Sequence, residues 1–126
     1  MFIDMYVDIE HNYYMKNENT KIFIDNSIQR IAKKHKILDV GGGEPFSKWL
    51  AKYRPLFQHT DYQTFDYDQS TGAHVVGDIH NIPVSDNTYD AIICSSVLEH
   101  VKDPLTAMSE MYRILKPGGY MFFYVP

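Results

Sequence analysis

Several features are scarce in this sequence, and each scarcity excludes a class of protein. The 126 residues include a single cysteine, so no disulfide can form within the chain. Cys94 ends the apolar run AIIC, which predicts a buried thiol in a strand rather than a nucleophile. No apolar run approaches the roughly 18 residues that a membrane-spanning helix requires. Because Asp4, Asp8 and Glu10 argue against a secretory signal, we expect a cytoplasmic protein without a membrane segment.

An excess of positive charge is also missing. Twelve Lys and Arg stand against sixteen Asp and Glu, which gives a net charge of −4 and argues against a nucleic-acid partner. The densest basic run, KKHK at residues 33–36, lies at a predicted helix end, where cations interact favourably with the helix dipole. The six histidines lack the spacing of a ligand set, so we expect no metal site.

Apolar patterning predicts helices and strands in alternation. Period-two alternation predicts a strand over residues 1–10, although a helix also fits that stretch. Helical spacing predicts a helix over residues 20–35, capped by Asn19 or Thr20. Further strands are predicted at residues 36–40, 63–67, 74–77, 89–95 and 120–125.

Prolines and an aspartate set the boundaries of two later helices. Pro45 fits the first turn of a helix over residues 45–53, and Pro55 is expected to end it. Asp103 is placed to cap a second helix that has Pro104 at its first position. The turn KPGG at residues 116–119 is expected to end this helix, whose predicted buried stripe is Leu105, Met108, Met111, Tyr112 and Leu115.

Strands in alternation with helices predict a three-layer α/β fold with an open, Rossmann-like sheet of about five parallel strands. We expect a single domain, in which residues 1–35 form an N-terminal strand and helix extension and residues 36–126 form the core. Ligands of such sheets bind beyond the carboxyl ends of the strands.

The segment ILDVGGG, residues 37–43, organises the predicted site. A strand runs into three glycines, which permit a sharp turn and a close approach of the backbone to a ligand. A strand, a glycine turn and a helix together are typical of nucleotide binding. The dinucleotide fingerprint expects glycine where Phe46 stands, which argues against a nicotinamide-dependent oxidoreductase. A tight turn without any ligand remains an alternative for the glycine run alone.

Two aspartates follow the next two predicted strands. Asp66 ends the second strand, where a carboxylate can accept hydrogen bonds from both ribose hydroxyls. Asp78 follows the third strand and can accept from an exocyclic amine, beside the apolar face of Ile79. For either aspartate alone, an exposed loop residue or a helix cap is the favoured interpretation. Together they favour an adenosine-containing ligand.

Further motifs come in a specific order: VGDI at residues 76–79, IP at 82–83, DNTYD at 86–90, VLEHV at 97–101, DP at 103–104 and LKPGG at 115–119. With the glycine turn, this order resembles the class I S-adenosylmethionine-dependent methyltransferases, especially those that act on small molecules such as quinone precursors. The resemblance begins near residue 36 and continues to the C-terminus. It implies S-adenosylmethionine as the cofactor and a small-molecule methyl acceptor.

The resemblance also implies roles for individual residues. It places Asp66 on the ribose, with Asp68 as the alternative, and both Ser95 and Ser96 beside the sulfonium. His100 lies near the transferring methyl group or packs under its loop, and no catalytic residue is assigned. The implied cofactor-binding residues are Asp39, Gly41, Gly42, Gly43, Asp66, Asp78, Ile79 and Ser95.

The sequence departs from the family pattern in two places. Glu44 and Pro45 follow the glycines where the family has a further glycine, and proline removes one backbone donor. The family also continues beyond its fifth strand with a helix and two strands, which we expect this chain to lack. The strand that begins at Tyr120 and ends at Val125 is then an apolar edge. We therefore expect a homodimer or partner chain on this edge, an N-terminal segment folded back onto it, or a truncated chain. The alternative function is a non-catalytic cofactor-binding or partner subunit that needs another chain to complete the fold.

Overall fold

The computed structural model describes residues 18–125, with side chains from residue 21 onward. The predicted strand over residues 1–10 lies outside this range. The main elements are α1 (Glu18–Ile31), β1 (Lys36–Val40), a 3₁₀ helix (Lys48–Phe57), β2 (Asp61–Asp66), β3 (Val75–Val76), β4 (Tyr89–Ser95), α2 (Pro104–Ile114) and β5 (Leu115–Tyr124).

The five strands form one parallel sheet in the order β3-β2-β1-β4-β5. The predicted α/β class and the parallel sheet of five strands are confirmed. β1 pairs with β2 on one side and with β4 on the other, so the strand order reverses between β1 and β4. Ligands of open α/β sheets bind at such a reversal. The bounds predicted for β1 and β4 match the structure.

Helices cover both faces of the sheet, because successive strand residues point to opposite sides. On one face, α1 and the 3₁₀ helix form a core with strand residues; this core includes Ile28, Ile31, Ile37, Leu50, Tyr53, Ala91, Ile93 and Phe122. On the other face, α2 packs against the alternate strand residues; this core includes Leu38, Val40, Ile92, Met111, Ile114, Met121 and Phe123.

The bounds predicted for the first two helices were wrong. α1 begins at Glu18, which places Asn19 and Thr20 inside the helix rather than at its cap, and it ends at Ile31. The helix after the glycines begins at Lys48 and is a 3₁₀ helix. Phe46 and Lys48 have φ values of 54° and 56°, a left-handed conformation that cannot belong to a regular right-handed helix beginning at Pro45. Pro55 lies within the 3₁₀ helix and does not end it.

The cap of α2 is confirmed, and its predicted buried stripe is confirmed in part, since Met111 is buried and Met108 packs against the core. Asp103 accepts a hydrogen bond from the N–H of Thr106 at 3.2 Å, and Pro104 is the first helical residue. The buried residues of the helix are Ala107, Met111 and Ile114, whereas Leu105 is 78% exposed. Tyr112 is also exposed, whereas Leu115 is buried as predicted but belongs to β5. The prediction weighted large apolar side chains and therefore overlooked Ala107, which marks the buried face.

The remaining strands differ from their predicted bounds by a few residues. β2 begins at Asp61 and ends at Asp66, and β3 contains only Val75 and Val76. Residues 116–119 lie within β5, where the pairing with β4 shifts register between Tyr89 and Ala91. Within residues 18–125, β5 pairs only with β4 and so forms an edge of the sheet. No helix in this range is long and apolar enough to cross a membrane.

Candidate functional site

A cavity of about 660 Å³ lies at the carboxyl ends of β1, β2 and β4, beside the loop that follows β3. This is the position where the strand order reverses, and where the sequence analysis placed the site. The residues that line it are Val40, Gly41, Phe65, Asp66, Tyr67, Gly77, Asp78, Ile79, His80, Ser96, Val97, His100, Val101 and Lys102.

Gly41 is the glycine of the turn that borders the cavity. Its φ of 79° is left-handed, and its N–H donates to the carbonyl oxygen of Phe65 at 2.7 Å. A Cβ at this position would overlap Cγ2 of Val97 on the opposite wall. Glycine is therefore required at position 41 by both its backbone conformation and the space available.

The other two glycines lie behind the cavity wall and do not line it. A Cβ on Gly42 would stand 2.5 Å from Oδ2 of Asp39. Gly43 has a φ of 58°, and its carbonyl oxygen accepts a hydrogen bond from the hydroxyl of Thr64 at 2.5 Å. The hydrogen bond from Thr64 ties the turn to β2.

Asp39 does not line the cavity, although it was a predicted site residue. Its side chain is 8% exposed and accepts a hydrogen bond from the hydroxyl of Tyr62 at 2.5 Å. Burial raises the pKa of Asp39 to about 7, against the opposing effects of the Tyr62 hydrogen bond and the charge of Lys48. The carboxyl group lies beneath the glycine turn and supports it.

Asp66 and Asp68 are placed differently, which bears on the open choice between them. Asp66 lines the cavity, and its Oδ1 accepts from the N–H of Asp68 at 3.1 Å. Asp68 lies outside the lining and caps a short 3₁₀ turn, Gln69–Thr71. Hydrogen bonds from the side chain and the backbone N–H of Ser70 lower the pKa of Asp68. The geometry therefore favours Asp66 as the carboxylate available to a ligand.

Asp78 and Ile79 line the cavity on the wall that follows β3. Oδ1 of Asp78 accepts from the backbone N–H of His80 at 2.9 Å and contacts Nδ1 of the same residue at 2.7 Å. These bonds lower the pKa of Asp78, whose side chain is 69% exposed and stays ionised at neutral pH. Ile79 packs against the core on the α2 face of the sheet.

The loop after β4 forms the opposite wall. Ser95 ends β4 in pairing with Tyr124 and does not line the cavity, whereas Ser96 does. Ser96 has a φ of 57°, and its N–H donates to the carbonyl oxygen of Tyr124 at 2.8 Å. His100 lies at the cavity rim with its side chain 80% exposed, rather than packed under its loop.

Sequence reasoning missed several lining residues, notably Tyr67, His80, Val97 and Lys102. Each lies within two residues of a predicted site residue or motif, so their neighbourhood was visible in the sequence. Which residue of a loop faces a cavity depends on turn geometry, such as the left-handed conformation of Ser96. Apolar and polar patterning does not report that geometry.

Comparison with known proteins gives the family. The model of the methyltransferase domain family matches residues 38–123, which is most of the chain. The chain belongs to the class I S-adenosylmethionine-dependent methyltransferases. The resemblance seen in the sequence is thereby confirmed, and the family implies S-adenosylmethionine as the cofactor.

Individual relatives are similar over shorter stretches. A demethylmenaquinone methyltransferase of Streptomyces avermitilis is 49% identical over 43 residues, which are 34% of this chain and 19% of that enzyme. A ubiquinone biosynthesis O-methyltransferase of Vibrio cholerae is 41% identical over 58 residues, 45% of this chain and 21% of that enzyme. The matched stretches thus span about a fifth of these curated relatives.

A solved structure from Methanococcus maripaludis, provisionally described as an S-adenosylmethionine-dependent methyltransferase, superimposes with a TM-score of 0.63 at 27% identity. The superposition covers 81% of this chain and 53% of that protein. The chain therefore spans about half the length of this structural neighbour, with the same methyltransferase fold.

The described residues fit the cofactor that the family implies. Gly41 leaves space beside Val97 that any side chain would fill. Asp66 and Asp78 place two carboxylates at the ends of neighbouring strands, where a nucleoside has hydroxyl and amine donors to offer. Ile79 adds the apolar contact that a base requires.

Proposed function

We propose that the chain binds S-adenosylmethionine in this cavity and forms part of an enzyme that transfers the methyl group to a small-molecule acceptor. One observation carries the proposal. Gly41, Asp66, Asp78 and Ser96 come from four separate segments and meet on one cavity at the reversal of strand order. A fold alone does not name a function, but this set of groups matches the chemistry of one ligand.

Each wall has a distinct role in the proposed complex. Asp66 accepts hydrogen bonds from the ribose hydroxyls, and Asp78 accepts from the adenine amine while Ile79 contacts the ring. Gly41 gives the methionine portion a close approach to the backbone, and Ser96 lies toward the sulfonium. Four predicted cofactor residues act from outside the lining in this proposal, by shaping the turn and the end of β4: Asp39, Gly42, Gly43 and Ser95.

The chemistry asked of the chain itself is modest. When bound, S-adenosylmethionine supplies a methyl group already activated by a positively charged sulfur. The chain binds and orients the reactants and excludes water, chiefly through the apolar walls of Val97 and Val101. The imidazole of His100 stands at the rim, where it can take a proton from an acceptor that must lose one.

The acceptor class is proposed from the relatives. Of the two curated enzymes compared above, one is named for demethylmenaquinone and the other for ubiquinone biosynthesis, and quinones are small molecules. The apolar residues of the cavity suit an acceptor with a ring or a hydrocarbon portion.

A second candidate is a cofactor-binding subunit that another chain completes. The edge position of β5 favours it, because within the described residues this strand pairs only with β4. Its residues 120–123 are buried and apolar, and an open edge of this kind readily pairs with another strand.

Calorimetric titration of the purified chain tests the proposed cofactor. S-adenosylmethionine should bind saturably and NADH should not. Binding of NADH, or of neither compound, would contradict the proposal. Transfer of a radiolabelled methyl group to a panel of demethylated quinols and phenols then separates the two candidates. Turnover supports the enzyme, whereas cofactor binding without turnover in a dimer supports the subunit.

A further inference from the structure

We propose that His80 is a positioning residue for the cofactor: its imidazole holds the carboxylate of Asp78 for the adenine amine and ties the two walls of the cavity together. This inference rests on the proposed function, because it concerns how the same site recognises adenine. The family match does not assign a role to this histidine. Its side chain adds contacts to Asp78 and Asp103 in a loop whose turn is already held by backbone hydrogen bonds.

The hydrogen bonds on Asp78 leave one of its oxygens open. Both the backbone N–H and the Nδ1 of His80 lie within 2.9 Å of Oδ1. Among residues 21–125, whose side chains the structure describes, no donor contacts Oδ2. Two donors on one oxygen restrict rotation of the carboxylate, so Oδ2 keeps a fixed direction and is available to an amine donor.

The other side of the imidazole fixes its tautomer. Nε2 lies 3.1 Å from the backbone nitrogen of Asp103, whose N–H donates to it. An Nε2 that accepts a hydrogen bond carries no proton, so a neutral His80 has its proton on Nδ1. That proton is directed at Oδ1 of Asp78. Both contacts are therefore made by one neutral form of the ring.

The two contacts join opposite walls of the cavity. Asp78 and His80 belong to the wall after β3, and Asp103 directly follows Lys102 of the wall after β4. Asp103 is also the cap of α2, which is anchored in the core through Met111. The imidazole thus connects a loop to a rigid helix across the adenine end of the cavity.

The turn itself does not require the imidazole. The N–H of Asn81 donates to the carbonyl oxygen of Asp78 at 2.9 Å, and the backbone N–H of His80 already bonds Oδ1. Replacing the ring leaves these backbone bonds in place. We therefore expect such variants to fold, which makes binding a usable readout.

The test separates the two contacts with matched variants. In His80→Asn the side-chain amide can replace Nδ1 as donor to Asp78, but no atom reaches Asp103. In His80→Gln the amide oxygen can replace Nε2 as acceptor, but the donor to Asp78 is lost. His80→Phe removes both contacts, and His59→Phe at an exposed position outside the cavity is the control.

Two ligands report the two effects: S-adenosylhomocysteine and its analogue with hydrogen in place of the adenine amine. The amine preference is the ratio of their dissociation constants, about tenfold or more in the wild type for a charge-assisted hydrogen bond. His80→Gln should lower this preference about threefold and leave the affinity for the analogue unchanged. His80→Asn should weaken both ligands about equally and keep the preference, and His80→Phe should show both losses.

The outcomes distinguish this inference from the proposed function. If the wild type binds S-adenosylhomocysteine but all three variants match His59→Phe, His80 has no positioning role. Equal losses for both ligands in all three variants indicate a structural role alone and also overturn the inference. A wild type that binds neither ligand overturns the proposed cofactor site and this inference with it.

A ligand-free measurement gives an independent decision. ¹⁵N NMR of the imidazoles in their neutral form should show the Nδ1–H tautomer for His80, which is the minor tautomer of free histidine. The Nε2–H tautomer, or rapid exchange between the two forms, would show that the link to Asp103 does not exist in solution and would overturn the inference.

Discussion

The hydroxyl of Tyr62 on β2 donates a hydrogen bond to Oδ2 of Asp39 on the neighbouring strand β1, over a distance of 2.5 Å. The carboxyl group lies directly beneath Gly42, where no Cβ can be accommodated. Its burial raises the pKa of Asp39 to about 7. The glycine turn at the cavity thus rests on an acid whose charge is unfavourable in the folded protein.

Asp39→Asn should remove a pH dependence of stability. The folded protein binds the proton of Asp39 more tightly than the unfolded chain, so the free energy of unfolding falls as the pH rises from about 4 to about 7. The pKa difference corresponds to a loss on the order of 4 kcal/mol. Urea unfolding between pH 4.5 and 8 should show this fall in the wild type and a shallower one in the variant.

The matched control for this experiment is Asp68→Asn. The pKa of Asp68 is lowered, so its contribution to stability changes only at more acidic pH. It should leave the slope between pH 5 and 7 unchanged. A variant Asp39→Asn with the wild-type slope would show that folding does not raise the pKa of Asp39.

Gly41→Ala should weaken cofactor binding at least tenfold, and Gly72 provides a control with the same backbone conformation. The φ values of the two glycines are 79° and 81°, but a Cβ at Gly72 meets nothing within 4 Å. Gly72→Ala should therefore cost about 1 kcal/mol of stability from left-handed strain alone. Gly41→Ala should cost about 1 to 3 kcal/mol more, because its Cβ overlaps Val97.

Thermal unfolding and calorimetric titration with S-adenosylmethionine measure these two effects. Shortening the opposing side chain, in Gly41→Ala combined with Val97→Ala, should recover the excess loss of stability over Gly72→Ala. Equal losses in the two single variants would show that the space beside Val97 is not restricted in solution.

Asp66→Ala should weaken binding of S-adenosylmethionine more than tenfold, while Asp68→Ala should weaken it less than threefold. Asp66 lines the cavity, whereas Asp68 caps the adjacent turn and lies outside the lining. A lost charge-assisted hydrogen bond to a ribose hydroxyl is worth about 1.5 to 3 kcal/mol. Titration calorimetry of both variants measures the difference. Equal losses, or a larger loss for Asp68→Ala, would contradict the assignment of the ribose carboxylate.

The strands that the sequence predicted best are the most buried ones. β1 and β4 are mostly apolar and are paired on both sides, so their bounds could be predicted from the sequence. The segment after the glycines was less predictable. Phe46 and Lys48 adopt left-handed conformations that their residue types do not favour, and tertiary packing imposes them. The helix predicted to begin at Pro45 therefore begins only at Lys48.

In the candidate site as well, some positions could be predicted from the sequence and others depend on tertiary packing. Asp66, Asp78 and Ile79 lie where strand ends predicted them, because parallel strands bring their carboxyl ends to one edge. Asp39 precedes the glycines in sequence, but strand alternation turns its side chain toward Tyr62 and away from the cavity. The link between His80 and Asp103 joins residues 23 positions apart, so no local pattern could reveal it.

Arg113→Lys should destabilise the fold by about 2 kcal/mol, because one guanidinium holds the loop before β4 against α2. It donates to the carbonyl oxygens of Ile82 and Val84 at 2.9 and 2.7 Å, and it pairs with Glu110 and Asp86. A lysine ammonium cannot span these acceptors, and the carbonyl groups it leaves lose their donors. Urea unfolding measures the change, with the exposed Arg54→Lys as the control, expected to change stability by less than about 0.5 kcal/mol. Equal effects of the two substitutions would mean that water replaces the guanidinium at these carbonyl oxygens at no cost. The loop would then be held by its apolar contacts, chiefly those of Ile82, which is buried in the core.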